Sequence, residues 1–161
     1  VANIAQAIYS TLSPEADPEK VRYLRWAALL HECGMIISSS RYHRHGHYIV
    51  SNADMPGFSR LEQDRLAALV LAQRGTLKKV EDKLDTLIST ETVLALRLAV
   101  IFAHARKDVA LPVMDAKRTA EGIEMRMEEV WLNAHPLTDY LLREETEFWS
   151  KIGRHLSIQK F

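Results

Sequence analysis

The sequence predicts a mainly α fold: a helical bundle over residues 1–110, followed by a small strand-helix-strand piece over residues 111–161. Three observations predict it. Apolar residues recur at helical spacing through the first two thirds of the chain. The segment from Val93 is apolar on nearly every side, as a buried central helix must be. Beyond Leu111-Pro112, Ile123, Met125 and Met127 alternate with Glu124, Arg126 and Glu128, a period of two that marks a strand with one covered face.

The opening residues Ile4, Ala7, Ile8 and Leu12 give a first helix at once. The chain begins on Val1 already in helical pattern, which reads as a piece of a longer protein. Asp17-Pro18-Glu19 starts the next helix, because the aspartate can accept from orphan N–H groups, proline has no N–H to lose, and glutamate favours the positive end of the dipole. That helix is expected to run to about Glu32, with Val21, Leu24, Ala28 and His31 on one inward stripe and Gly34 closing it. Ser38-Ser39-Ser40 reads as a loop, after which a helix resumes through Tyr48, Ile49 and Val50 until Pro56-Gly57.

Ser59 and Glu62 have capping-box spacing and open a helix that ends before Gly75. Residues 76–89 are polar and weakly periodic, room for one short helix. Val93 to Lys107 is the buried helix, interrupted only by Arg97 and His104. His135-Pro136 opens a last helix, with Leu137, Leu141, Phe148 and Ile152 expected on its inner side and Gly153 at its end. Leu156 and Ile158 alternate with Ser157 and Gln159 as a second strand.

With 161 residues, 47% of them hydrophobic and 26% charged, the chain needs neither disulfide nor metal to form a core. Its single cysteine, Cys33, excludes a disulfide framework or a thiolate zinc site and reads as a buried, inert thiol. No apolar run is long enough to span a bilayer, so no membrane is expected as partner, and the chain reads as cytoplasmic. Lysine plus arginine and aspartate plus glutamate each total 21, which gives no argument for DNA. The neutral average hides a dipole. Residues 20–50 hold five basic residues against Glu32 alone, with four of the seven histidines, while residues 120–150 hold eight acids against Arg126 and Arg143.

Three groups of residues could carry chemistry. His31-Glu32 sets an imidazole beside a carboxylate at a helix end, where both could ligate a divalent ion; a hydrogen-bonded core pair is the competing reading. A zincin site is excluded, because the second histidine it needs would stand at Met35. The run Arg41-Tyr42-His43-Arg44-His45-Gly46-His47 offers two guanidinium groups and three imidazoles, donors suited to an anion with several oxygens, or else a solvated basic loop. Arg97 and His104, seven apart on an apolar helix, are expected to be satisfied by internal hydrogen bonds.

The run from Arg25 through Trp26, His31 and Glu32 to Gly34, then Ser40 to His45, then Tyr48-Ile49-Val50-Ser51-Asn52-Ala53-Asp54-Met55-Pro56-Gly57-Phe58, resembles the C-terminal region of exopolyphosphatases. That family includes the guanosine pentaphosphate phosphohydrolases. Leu94 to Arg106 is similar to its buried helix, and Trp131 with His135-Pro136-Leu137 through Trp149 to its terminal strand-helix-strand unit. The resemblance implies an HD-like helical domain over 1–110 and a small α+β subdomain over 111–161. It also implies missing N-terminal actin-like domains that carry the Mg2+-dependent catalytic site, and a homodimer.

On this resemblance no catalytic residue is expected in the chain, and no cofactor. Arg41, His43, Arg44 and His45 would hold inorganic polyphosphate or guanosine pentaphosphate in the intact enzyme. His31 and Glu32 stand where metal-retaining members resemble His-Asp, and Val100 stands where they resemble aspartate, so the ion site is expected to be vestigial. The alternative is an independent HD-type metal-dependent nucleotide phosphohydrolase using His31 and Glu32.

Overall fold

The computed structural model describes residues 1–105 and 110–161. Helix α1 (Ala2–Leu12) buries Ala5, Ile8 and Tyr9, and α2 (Pro18–Leu30) buries Tyr23, Leu24, Ala27 and Ala28. Asp17 accepts from the Glu19 amide at 2.9 Å, with Pro18 opening the helix, as the sequence predicts. Helix α3 (Tyr42–Asn52) and α4 (Arg60–Ala72) pack against each other, and the capping box of Ser59 and Glu62 closes at 2.8 and 3.2 Å. Helix α5 (Thr90–Phe102) is buried from Thr92 to Ala99 and is the axis on which α1 and α2 rest.

Strands β1 (Met114–Arg118), β2 (Gly122–Met127) and β3 (His155–Lys160) form one sheet in that order, β1 and β2 antiparallel, β2 and β3 parallel. A parallel pair needs a helical crossover. Here it is α6 (Glu129–Ala134) followed by α7 (Pro136–Ser150). Ile123, Met125 and Met127 turn inward as their alternation predicts, and the fold is mainly α with a small strand piece.

Several elements depart from expectation. Gly34 does not close α2 with a left-handed residue. The chain passes from α2 through His31 into a short 3-10 helix, Cys33–Ile36. Gly34 is needed for contact instead: a Cβ there would overlap the Tyr42 carbonyl oxygen and the Gly46 amide nitrogen, and a Cβ on Gly46 would meet Val70 Cγ1 at 2.9 Å. Two glycines thus let the 3-10 turn and α3 touch through their backbones. The central helix stops at Phe102; of the predicted extension, Arg106 and Lys107 lie outside the described residues.

Strand β1 and helix α6 were not visible in the pattern, β1 because its sequence Met-Asp-Ala-Lys-Arg lacks β-branched residues. On α7 the inner side is Thr138, Leu142, Glu145 and Trp149, while Leu137 is exposed and Leu141, Phe148 and Ile152 are half-buried. The helix is rotated by about one position, 100°, and the reason is polar: burying Glu145 gives α5 a carboxylate it needs.

Candidate functional site

The C-terminal end of α4 leaves carbonyls without intrahelical partners and carries the negative end of the helix dipole. Cations gather there. Arg97, 2% exposed on α5, donates through Nη1 to the Ala72 carbonyl at 2.6 Å and through Nη2 to the Gly75 carbonyl at 2.9 Å. Lys79, on the 3-10 helix Leu77–Lys83, donates through Nζ to the Arg74 carbonyl. A buried guanidinium requires a counter-charge, and Glu145 of α7 supplies it, accepting from Arg97 Nε at 2.6 Å and Nη2 at 2.8 Å and from Trp149 Nε1 at 2.7 Å. The expected internal bonding of Arg97 therefore holds, and His104, exposed beyond α5, also has its Nδ1 2.7 Å from the Ile101 carbonyl oxygen.

A cleft of about 930 Å³ opens beside this network, lined by His31, Glu32, Tyr42, Arg74, Val100 and Phe148 among others. The structure thus brings His31, Glu32 and Val100 to one place. Their donor set does not fit a divalent ion. His31 Nδ1 is bonded to the Ala28 carbonyl at 2.7 Å, its Nε2 lies 3.9 Å from Glu32 Oε1, and Val100 has no donor atom. Among the described residues no group of three or more His, Cys, Asp or Glu side chains is placed to share an ion.

The basic run predicted from sequence is a helix rather than a loop. Arg41, left-handed at φ 53°, precedes α3, and the helix then divides the run between two faces. Arg41 and Arg44 are exposed and His45 is half-buried, while His43 is 9% exposed and turned inward. His47 is half-buried with Nδ1 3.1 Å from the Ala67 carbonyl oxygen. The four candidates are therefore not one patch.

What His43 faces was not anticipated. Its Nε2 lies 3.8 Å, and Lys79 Nζ 3.4 Å, from the point where a Cβ would stand on Gly75. Arg74, next in chain, lies over the Tyr42 ring at 5.4 Å on the lip of the cleft. Burial, followed by the charges of Lys79, Arg44, Arg74 and Arg97, pushes the His43 imidazole down to about 4. Burial, followed by Arg97 and Arg44, pushes the Lys79 ammonium down to about 7. Among the described residues Arg41, Arg44, Arg74 and Lys79 form no ion pair with a carboxylate. Arg74 and Lys79 were missed because nothing in a sequence reading joins residues 43, 74 and 79; only the Gly75 turn does.

Cys33 is half-buried, and its thiol is pushed up by burial, as an inert thiol would be. Among the described residues no helix is long and apolar enough to cross a membrane.

A family model described as Ppx/GppA phosphatase, domain III, matches residues 1–146. A protein of Pseudoalteromonas translucida named guanosine-5'-triphosphate,3'-diphosphate pyrophosphatase is 33% identical over 134 residues, 81% of this chain and 27% of that protein. One of the same name from Pseudoalteromonas atlantica is 32% identical over 166 aligned positions, 99% of this chain and 33% of that protein. The chain spans a third or less of the length of these relatives.

Proposed function

The chain belongs to the Ppx/GppA phosphatase family as its domain III, and from that premise we propose that it is the substrate-gripping, non-catalytic part of a phosphoanhydride hydrolase. Its task is to hold the phosphate chain of guanosine pentaphosphate or inorganic polyphosphate while bonds are cleaved on other domains, where Mg2+ would be bound. One observation carries the reading: Arg74 on the lining of a large cleft, Lys79 beside the neutral His43 at the Gly75 turn, and Arg44 on α3 are cations that, among the described residues, pair with no carboxylate. Arg41, just before α3, is a further exposed cation, and His45, next to Arg44, is half-buried.

Fixed cations position a polyanion rather than cut it. The names of the relatives support guanosine pentaphosphate. The cleft itself supports a decayed HD-type metal site, since Val100 stands among its lining beside His31 and Glu32. Nothing supports an independent metal-dependent nucleotide phosphohydrolase. The same reading makes the protein cytoplasmic and homodimeric, with the exposed Leu137 and Tyr140 on one face of α7 as the contact.

The test is binding of long-chain polyphosphate to this chain across a salt series. Affinity is expected to fall steeply with salt and to drop on Arg44→Ala with Arg74→Ala. Unchanged binding by that double variant overturns the reading, as does phosphate release from guanosine pentaphosphate by this chain alone with Mg2+ or Mn2+.

A further inference from the structure

The charge asymmetry of the sequence, basic over residues 20–50 and acidic over residues 120–150, falls on two helices that the gripping role does not use. On α2, Arg22, Arg25 and Leu29 are exposed and share one helical face. Leu29 is 64% exposed, Arg22 lies over the Trp26 ring at 5.3 Å, and Arg25 donates to Gln6 Oε1 at 3.3 Å. On α7, Tyr140 and Glu147 are exposed and Glu144 is half-buried, again on one face, with Leu137 a turn before them. Tyr140 donates its hydroxyl to Glu144 Oε1 at 3.2 Å. Among the described residues Arg22 and Arg25 form no ion pair with a carboxylate, and Glu144 and Glu147 form none with a cation. Glu62, near enough to feel the charge of Arg22, is taken up by the Ser59 capping box.

We propose that the α2 face of one copy docks antiparallel on the α7 face of a second copy, and that a two-fold axis repeats the contact so that the pair closes. The proposal rests on the homodimer reading above and adds what the α7 face meets. Spacing fixes the sense. Forward along α2, the steps from Arg22 to Arg25 to Leu29 are three residues and then four; backward along α7, the steps from Glu147 to Glu144 to Tyr140 are the same. Laid antiparallel, Arg22 meets Glu147, Arg25 meets Glu144 and Leu29 meets Tyr140 over a shared length of roughly 10 Å. Laid parallel, Leu29 would cover Glu147 and Arg22 would lose its acid. The antiparallel sense also opposes the two helix dipoles.

Exposed ion pairs contribute little affinity by themselves; their part here is register and choice of partner. Affinity comes from covering Leu29, Tyr140 and the flank of Trp26, which stands four residues after Arg22 on the same face. Trp26 is half-buried with its ring 5.2 Å from that of Phe58, a rigid aromatic of the kind that anchors interfaces. Both faces belong to one chain, so a two-fold axis satisfies both at once.

The experiment is sedimentation equilibrium of this chain, with circular dichroism to establish that each variant is folded. The natural chain is expected to pass from monomer to dimer as concentration rises. Arg22→Glu with Arg25→Glu sets acid against acid and is expected to weaken the dimer at least about tenfold. Glu144→Lys with Glu147→Lys, which sets cation against cation, should do the same. An equimolar mixture of the two variants is expected to recover the dimer, because a mixed pair joins opposite charges at both contacts, natural at one and exchanged at the other. Mixing does not repair a misfolded chain. Natural dimerisation by the Arg22→Glu, Arg25→Glu variant, a mixture that stays monomeric, or growth of the natural chain past a dimer overturns this proposal while leaving self-association intact. A natural chain that is monomeric at every concentration overturns both the proposal and the homodimer reading.

Discussion

Arg97 and Glu145, 48 residues apart, form a two-pronged bond at 2.6 and 2.8 Å, each side chain about 2–3% exposed. Through it α7 is locked to α5, and the remaining Arg97 donors hold the end of α4 by the Ala72 and Gly75 carbonyls. The turn that carries Arg74 and Gly75 is thus fixed by a buried charge pair.

Glu145→Gln leaves Arg97 buried without a counter-charge and is expected to cost about 3–5 kcal/mol, read by urea unfolding. Arg97→Met combined with Glu145→Leu is expected to cost clearly less than the two single changes added, because neither charge is then stranded. Additive losses would show that the pair is not the relevant unit.

Gly34→Ala is expected to destabilise by about 1–3 kcal/mol or more, since its Cβ would overlap backbone that cannot yield. Pro56→Ala, one turn beyond α3 and exposed, is the control and should be nearly silent. Equal midpoints for Gly34→Ala and the natural chain in thermal unfolding would refute the backbone contact.

Gly75 stands at φ 73°, a conformation that strains any other residue, with Lys79 Nζ 3.4 Å and His43 Nε2 3.8 Å from where a Cβ would stand. Gly75→Ala is therefore expected to weaken polyphosphate binding at least several-fold while the chain stays folded, measured by calorimetry. Retained affinity would mean that the anion sits elsewhere.

His43 titrates at about 4 in the folded chain against 6.5 ordinarily. As pH falls from 6.5 to 4 the unfolded chain takes up a proton that the folded one refuses, so stability drops through that window and levels off below it. The loss is on the order of 3 kcal/mol at most. His43→Gln should flatten the profile between pH 6.5 and 4 in denaturant unfolding. For Lys79 the same sign applies higher: stability rises from about 7 toward 10.5 as the half-buried ammonium is relieved of its charge.

If Leu137 and Tyr140 form a contact between copies, Leu137→Glu with Tyr140→Glu is expected to give a monomer in sedimentation at concentrations where the natural chain associates. Sedimentation of the natural chain as a monomer at every concentration would end the dimer reading.

Local order determined much of this protein. The Asp17-Pro18 start, the Ser59/Glu62 box, the uniform apolarity of Thr92 to Ala99 and the alternation Ile123, Met125, Met127 are all short-range patterns, and each formed what its spacing demands. The neighbouring run of His31, Glu32 and the Arg41–His47 cations was legible too, as residue types without a geometry. Tertiary structure decided the rest, because it depends on contacts between residues far apart in the chain. Pairing of Arg97 with Glu145 turned α7 off its apolar stripe, the contact of Gly34 with Gly46 placed α3, and the Gly75 turn set Lys79 beside His43. A buried charge must find its partner wherever the fold brings one, and spacing along a sequence does not contain that distance.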